Sequence, residues 1–213
     1  MAAKSQSTAP VWTNAGGPGR AGLFSGPVRL APEPIRRLLA QGAVQASVVF
    51  DEQDRVLVAD MAGWIHAFDP QGKVLWERQL TGGVSASPAV DAEAGRVFIG
   101  THAGWVEALQ TTDGAALWRR KLPSKSDARI LSDLLYLPAQ GCVVLSSWGG
   151  QFHALDAASG ETRRTWDAGL WPQAGASADT QGHVFCLRAL GGVGVAFVRV
   201  AAEGQETILY TQP

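Results

Sequence analysis

The chain has 213 residues, with 18 Lys and Arg against 19 Asp and Glu, a net charge of −1 and a hydrophobic content of 46%. That balance gives no general attraction to nucleic acid or to an anionic membrane, and no apolar run approaches the roughly 20 residues that span a bilayer. Cys142 and Cys186 stand far apart and read as small buried hydrophobes rather than a disulfide or metal pair.

In chain order, residues 1–33 form a lead-in without an apolar h-region, so no secretory signal is expected. The expected compartment is cytoplasmic as written, or periplasmic if a leader is missing. Residues 34–42 read as a single outer strand. Four similar units follow, at 43–83, 84–126, 127–171 and 172–213. The first places strands at 46–51, 55–61, 64–69 and 73–80, and the second at 86–91, 96–102, 105–110 and 115–122. The third gives 130–138, 142–148, 151–156 and 161–166, and the degenerate fourth gives 175–179, 183–189, 193–199 and 206–212. Gly and Asp in the turns supply the positive φ that tight hairpins need. No segment holds a helical period for long.

One phrase marks the units: an Ala, a polar turn, Gly and then Trp. It runs through Ala67, Asp69, Gly72 and Trp76, and again through Ala108, Gly114 and Trp118, where Gln110 takes the acidic position. In the third unit Ala154, Asp156 and Gly160 fit, but Arg164 falls where Trp belongs and Trp166 follows two residues later. The fourth keeps little beyond Ala196 and Gly204. A period of about 40–50 residues with four strands per unit is the signature of propeller blades, the WD-like class of repeat. The fold class expected is therefore all-β, a propeller of four-stranded antiparallel blades.

These residues resemble the pyrroloquinoline-quinone-type propeller repeat, with its motif Ala-x-Asp-x-x-Thr-Gly-x-x-x-Trp, over roughly residues 11 to 211. The resemblance implies a quinoprotein-like fold in which each Trp docks between neighbouring blades. A large ring buries apolar area there, and Ala and Gly leave room for it. Such rings normally have seven or eight blades, so four blades amount to a partial, half ring, from a truncated or split gene product or from two half rings that pair, unless they form an unusual small ring. A half ring exposes blade faces at its ends, which favours a protein partner or self-association that completes it.

The resemblance implies two functions. One is a non-enzymatic protein-binding or ligand-binding scaffold. The alternative is half of a quinone-dependent alcohol or sugar dehydrogenase, or an accessory propeller of a larger enzyme. The dehydrogenase would need pyrroloquinoline quinone with calcium, several convergent oxygen ligands, a catalytic Asp and commonly an adjacent Cys-Cys pair. No acidic cluster stands out, so no catalytic, cofactor-binding or metal residue is assigned. The lipoprotein branch involved in outer-membrane barrel assembly needs export and an anchoring cysteine near the N-terminus, and neither is evident here.

His66, Glu107 and His153 share one slot of the third strand, and a structural role is expected for them over a metal ring. Arg36, Arg37, Arg78, Arg119, Arg120, Lys121, Arg163 and Arg164 lie on outer strands, where cations protect exposed edges. A ligand at the channel mouth would meet Asp60, His102 and Trp148 on turns between second and third strands. Arg129 and Trp171 would join them from the connections between units, because function concentrates on such loops.

Overall fold

The computed structural model describes residues 39–123, 127–169, 175–190 and 194–212. The lead-in, most of the outer strand expected at 34–42, Arg36, Arg37 and Trp171 lie outside the described residues. Leu39–Ala40 and the two residues after them are described and form no strand.

Four antiparallel sheets follow one another, each made of four consecutive strands in simple meander order. The first holds β1 (Val49–Phe50), β2 (Val56–Ala59), β3 (Trp64–Phe68) and β4 (Val74–Gln79). The second holds β5 (Ala89–Asp91), β6 (Arg96–Gly100), β7 (Trp105–Gln110) and β8 (Ala116–Lys121). The third holds β9 (Leu135–Leu137), β10 (Cys142–Ser147), β11 (Gln151–Asp156) and β12 (Thr162–Asp167). The fourth holds β13 (Ser177–Ala178), β14 (Val184–Leu190), β15 (Gly194–Val200) and β16 (Glu206–Gln212). These are the blades of a propeller, and the four do not close into a ring.

The first strand of each blade is shorter than the apolar pattern predicts, and in the first two blades hydrogen bonding explains why. The Ser47 N–H donates to Ser87 Oγ of the next blade, and the Ser87 N–H donates to Asp133 Oδ1 of the blade after that. Pairing with the second strand therefore starts two residues later, at Val49 and Ala89. β1 lies against β5, and β5 against β9, so these bonds knit successive blades along one inner edge.

Three apolar layers fill the space between blades. Val49, Leu57, Ile65 and Ala67 of the first blade meet Val90, Val97, Ile99 and Leu109 of the second. Phe98, Val106 and Ala108 meet Tyr136, Val143, Leu145 and Leu155. Val144, Phe152 and Ala154 meet Val184, Cys186, Ala196 and Val198. The second and third blades thus each use one face toward the predecessor and the other toward the successor. This is why their strands read as nearly continuous apolar runs.

The fourth blade breaks the series. Leu187, Phe197 and Tyr210 are cross-strand neighbours on its far face, with Val195 two residues before Phe197 on the same strand; Leu187, Val195, Phe197 and Tyr210 are 48%, 41%, 37% and 63% exposed. Nothing among the described residues covers that face.

Candidate functional site

The outer junctions are built from the repeated motif. Ala67 lies opposite Trp76 and Ala108 opposite Trp118, each beside a β-bulge that places one extra residue, Leu75 or Leu117, in the fourth strand. The Trp76 indole N–H donates to the Thr111 carbonyl at 2.9 Å, and Trp118 donates to the Ala157 carbonyl at 3.0 Å. Both acceptors sit in the motif turn of the following blade. The ring in each case covers that turn's glycine: a Cβ on Gly114 would lie 2.6 Å from Trp76, and one on Gly160 would lie 2.5 Å from Trp118. Those glycines have φ of 71° and 72°, so the same residue serves the turn and the close approach. The motif carboxylates complete the turns. Asp69 Oδ1 accepts the N–H groups of Gln71 and Lys73, and Asp156 Oδ1 accepts those of Ala158 and Ser159. The Ser159 N–H and the Arg163 guanidinium overcome partial burial and hold the Asp156 carboxyl down at about 2.

In the third blade Ala154 lies opposite Arg164 rather than a tryptophan. Arg164 reaches across to the fourth blade and donates to the carbonyls of Ala201 and Ala202, with its guanidinium over Gly204. Trp166 is displaced inward, stacking on Phe152 at 5.3 Å. A cavity of about 220 Å³ remains at this junction, lined by Leu137, Cys142, Val144, Val184, Arg163 and Arg164 among others. The departure at Arg164 was the sequence signal for it, and Cys142 and Gln140 on its wall gave none.

At the opposite end of the strands, the turns between second and third strands carry the channel-mouth candidates. Backbone bonds repeat there: Met61 N–H to Ala43 O, His102 N–H to Gly83 O and Trp148 N–H to Arg129 O. They fix each turn against the connection that precedes its own blade.

Asp60 is fully buried and its carboxylate is occupied. Oδ1 accepts the Trp64 N–H, while Oδ2 accepts those of Gln41 and Gly42 and faces His66 Nε2 at 3.2 Å. Burial pushes this carboxyl up, but these donors outweigh it and hold it below its usual range. Thr101 does the same work in the second blade, where its Oγ1 accepts the Trp105 N–H.

His102, Arg129 and Trp148 come together. His102 Nε2 lies 2.6 Å from Ser85 Oγ, and burial together with the Arg129 charge pushes its imidazole down. The Arg129 guanidinium lies 5.6 Å from the centre of the Trp148 ring and is held bidentately by Asp127. Ser85 and Asp127 carried no signal in the sequence. Trp171 lies outside the described residues.

The shared slot of His66, Glu107 and His153 does not converge. His66 bridges Asp60 and Glu77 of its own blade, Glu107 accepts the Thr81 N–H, and His153 faces Ser147. Among the described residues no three His, Cys, Asp or Glu side chains group as a cation site. Cys142 and Cys186 are both free and buried on separate blades, and burial pushes both thiols up, Cys186 to about 11.

The outer cations have local partners. Arg119 stacks over Trp105 at 4.6 Å, and Arg78 donates to the Gly114 carbonyl.

With blades, motif turns and tryptophan junctions in view, a family model described as outer membrane protein assembly factor BamB matches residues 3–192. The chain belongs to this family. No curated protein matches it in sequence. Among solved structures, BamB from Moraxella catarrhalis superposes with a TM-score of 0.67 at 18% identity, covering 81% of this chain and 54% of that one. The quinohemoprotein alcohol dehydrogenase from Comamonas testosteroni gives 0.66 at 15% identity, covering 80% and 35%. At such identities these two likenesses show the propeller fold. The chain spans about half the length of the BamB structure. No helix among the described residues is long and apolar enough to cross a membrane.

Proposed function

We propose that this BamB-family chain is a non-enzymatic interaction module whose four blades are completed by further propeller blades, from a partner protein or from a second copy. The observation that carries this reading is the far face of the fourth blade. Leu187, Val195, Phe197 and Tyr210 stand there in the places that Leu57, Ile65, Ala67 and Trp76 hold at a packed junction. An apolar sheet face of this kind marks an interaction site. The family's description as an outer-membrane assembly factor supports a scaffolding role and favours the exported alternative for its compartment.

The quinone reading finds less support. Calcium in such a site requires several oxygen ligands on one centre, and the carboxylates nearest the channel mouth are already committed. Asp60 is committed to backbone N–H groups and His66, and Asp127 to Arg129. The discriminating experiment is to incubate the chain with calcium and pyrroloquinoline quinone and follow dye-linked alcohol oxidation. The module reading expects no turnover above a protein-free control. Turnover that depends on both additives would overturn it.

A further inference from the structure

The junction between the third and fourth blades differs from the other two in chemistry as well as in shape. Where Trp76 and Trp118 seal their junctions with apolar rings, Arg164 brings a guanidinium and leaves the cavity of about 220 Å³ beside it. The apolar part of its wall comes from Leu137, Val144 and Ala154 of the third blade and Val184 and Val200 of the fourth, and Gln140, Arg163 and Arg164 supply the polar part. Its rim is accessible, since Arg163 and Ala202 are exposed.

The two arginines differ in electrostatic state. Arg163 is neutralised by a double contact with the Asp156 carboxylate. Among the described residues Arg164 donates only to the uncharged carbonyls of Ala201 and Ala202, and no carboxylate pairs with it. A guanidinium carries five N–H donors, suits a carboxylate geometrically and cannot discharge itself by losing a proton. A half-buried cation without a counter-charge beside an apolar void is complementary to one ligand type, an anionic head on a short apolar body. The volume sets the size, because a cavity of about 150 Å³ lined by aliphatic side chains holds benzene. This space therefore accommodates one aromatic ring or a comparable branched chain with its carboxylate.

We propose that this inter-blade cavity binds a small apolar carboxylate of about benzoate size, with Arg164 as its counter-charge. The Cys142 thiol, buried on the wall, serves as an apolar surface there. The site lies at the outer junction rather than at the channel mouth, and it does not depend on how the ring is completed.

The test is titration calorimetry of the full chain with benzoate, benzyl alcohol and benzylamine. Benzoate is expected to bind once per chain, with the neutral and cationic analogues at least roughly tenfold weaker, as a charge-assisted contact demands. Arg164→Gln should weaken benzoate by a similar factor. Val184→Phe, which fills the cavity and keeps the charge, should abolish binding. Arg119→Gln, at a different junction, should leave it unchanged. Circular dichroism shows that each variant is folded. Absence of benzoate binding at millimolar concentration would overturn the proposal, as would benzylamine binding equally well or full affinity in folded Arg164→Gln or Val184→Phe.

Discussion

Arg164 lies over Gly204 as Trp76 lies over Gly114. The third junction keeps the cross-blade contact of the repeat but exchanges a rigid ring for a flexible cation. That exchange separates two costs usually fused at a motif glycine: left-handed backbone and a ring pressed against Cα.

Gly114→Ala and Gly160→Ala meet both costs, because the new Cβ would lie within 2.6 Å of an indole that cannot move without opening the core. Each is expected to lose about 2–4 kcal/mol. Gly204→Ala has φ of 97° but meets only the tip of Arg164, which can swing aside. It should lose about 1–2 kcal/mol. Urea denaturation of the three variants reads the difference. Equal losses would show that backbone strain alone sets the cost.

Trp118→Phe removes the N–H that Ala157 O accepts and part of the ring, whereas Trp118→Ala opens the junction altogether. The Ala variant should lose about 3–5 kcal/mol, and the Phe variant should fall clearly between it and the wild type. Thermal unfolding followed by near-ultraviolet dichroism is the measurement.

His153 is fully buried, and one ring nitrogen has no partner. Burial pushes its imidazole down from 6.5 to about 4. The unfolded chain takes up a proton near 6.5 that the folded chain refuses until about 4. The contribution of His153 is therefore complete above 6.5 and is lost as pH falls toward 4, by about 3 kcal/mol in all. A His153→Gln variant should lack this component. Comparing denaturation midpoints of both proteins at pH 7.5 and 4.5 checks it, and parallel pH profiles would contradict it.

Asp60→Asn keeps the shape of the side chain but turns an NH2 group toward backbone N–H donors. It should destabilise by about 1–3 kcal/mol. The donors hold the Asp60 carboxyl below its ordinary value, so its contribution is present above the carboxylate range and lost as pH falls through it. The variant's deficit should therefore shrink below about pH 4. A deficit independent of pH would remove the charge from the account.

The strands were legible because their signals are local. Gly and Asp punctuate every hairpin, and apolar runs between them have strand length, as in Arg96–Gly100 and Gln151–Asp156. The motif tryptophans were legible through the spacing from Ala67 to Trp76 and from Ala108 to Trp118. What stayed hidden depends on partners from elsewhere in the chain. A polar residue at a turn, such as Asp60, looks free until Gln41, Gly42 and His66 are placed around it. The short first strands of the first two blades followed from Ser47 and Ser87 bonding between blades, which no pattern within one unit reveals. Arg164 stood out as a departure, yet its reach to Ala201 and Ala202 exists only in three dimensions.

The central claim is that the exposed face of the fourth blade is a junction that recruits a neighbour, a second copy where no other protein is present. Multi-angle light scattering of the purified chain at micromolar concentration tests it most directly, beside a Phe197→Glu, Tyr210→Glu double variant. The account predicts a mass above 22.5 kDa for the wild type, falling to the monomer when the two charges are placed on that face. A wild-type chain that is monodisperse at 22.5 kDa would contradict it.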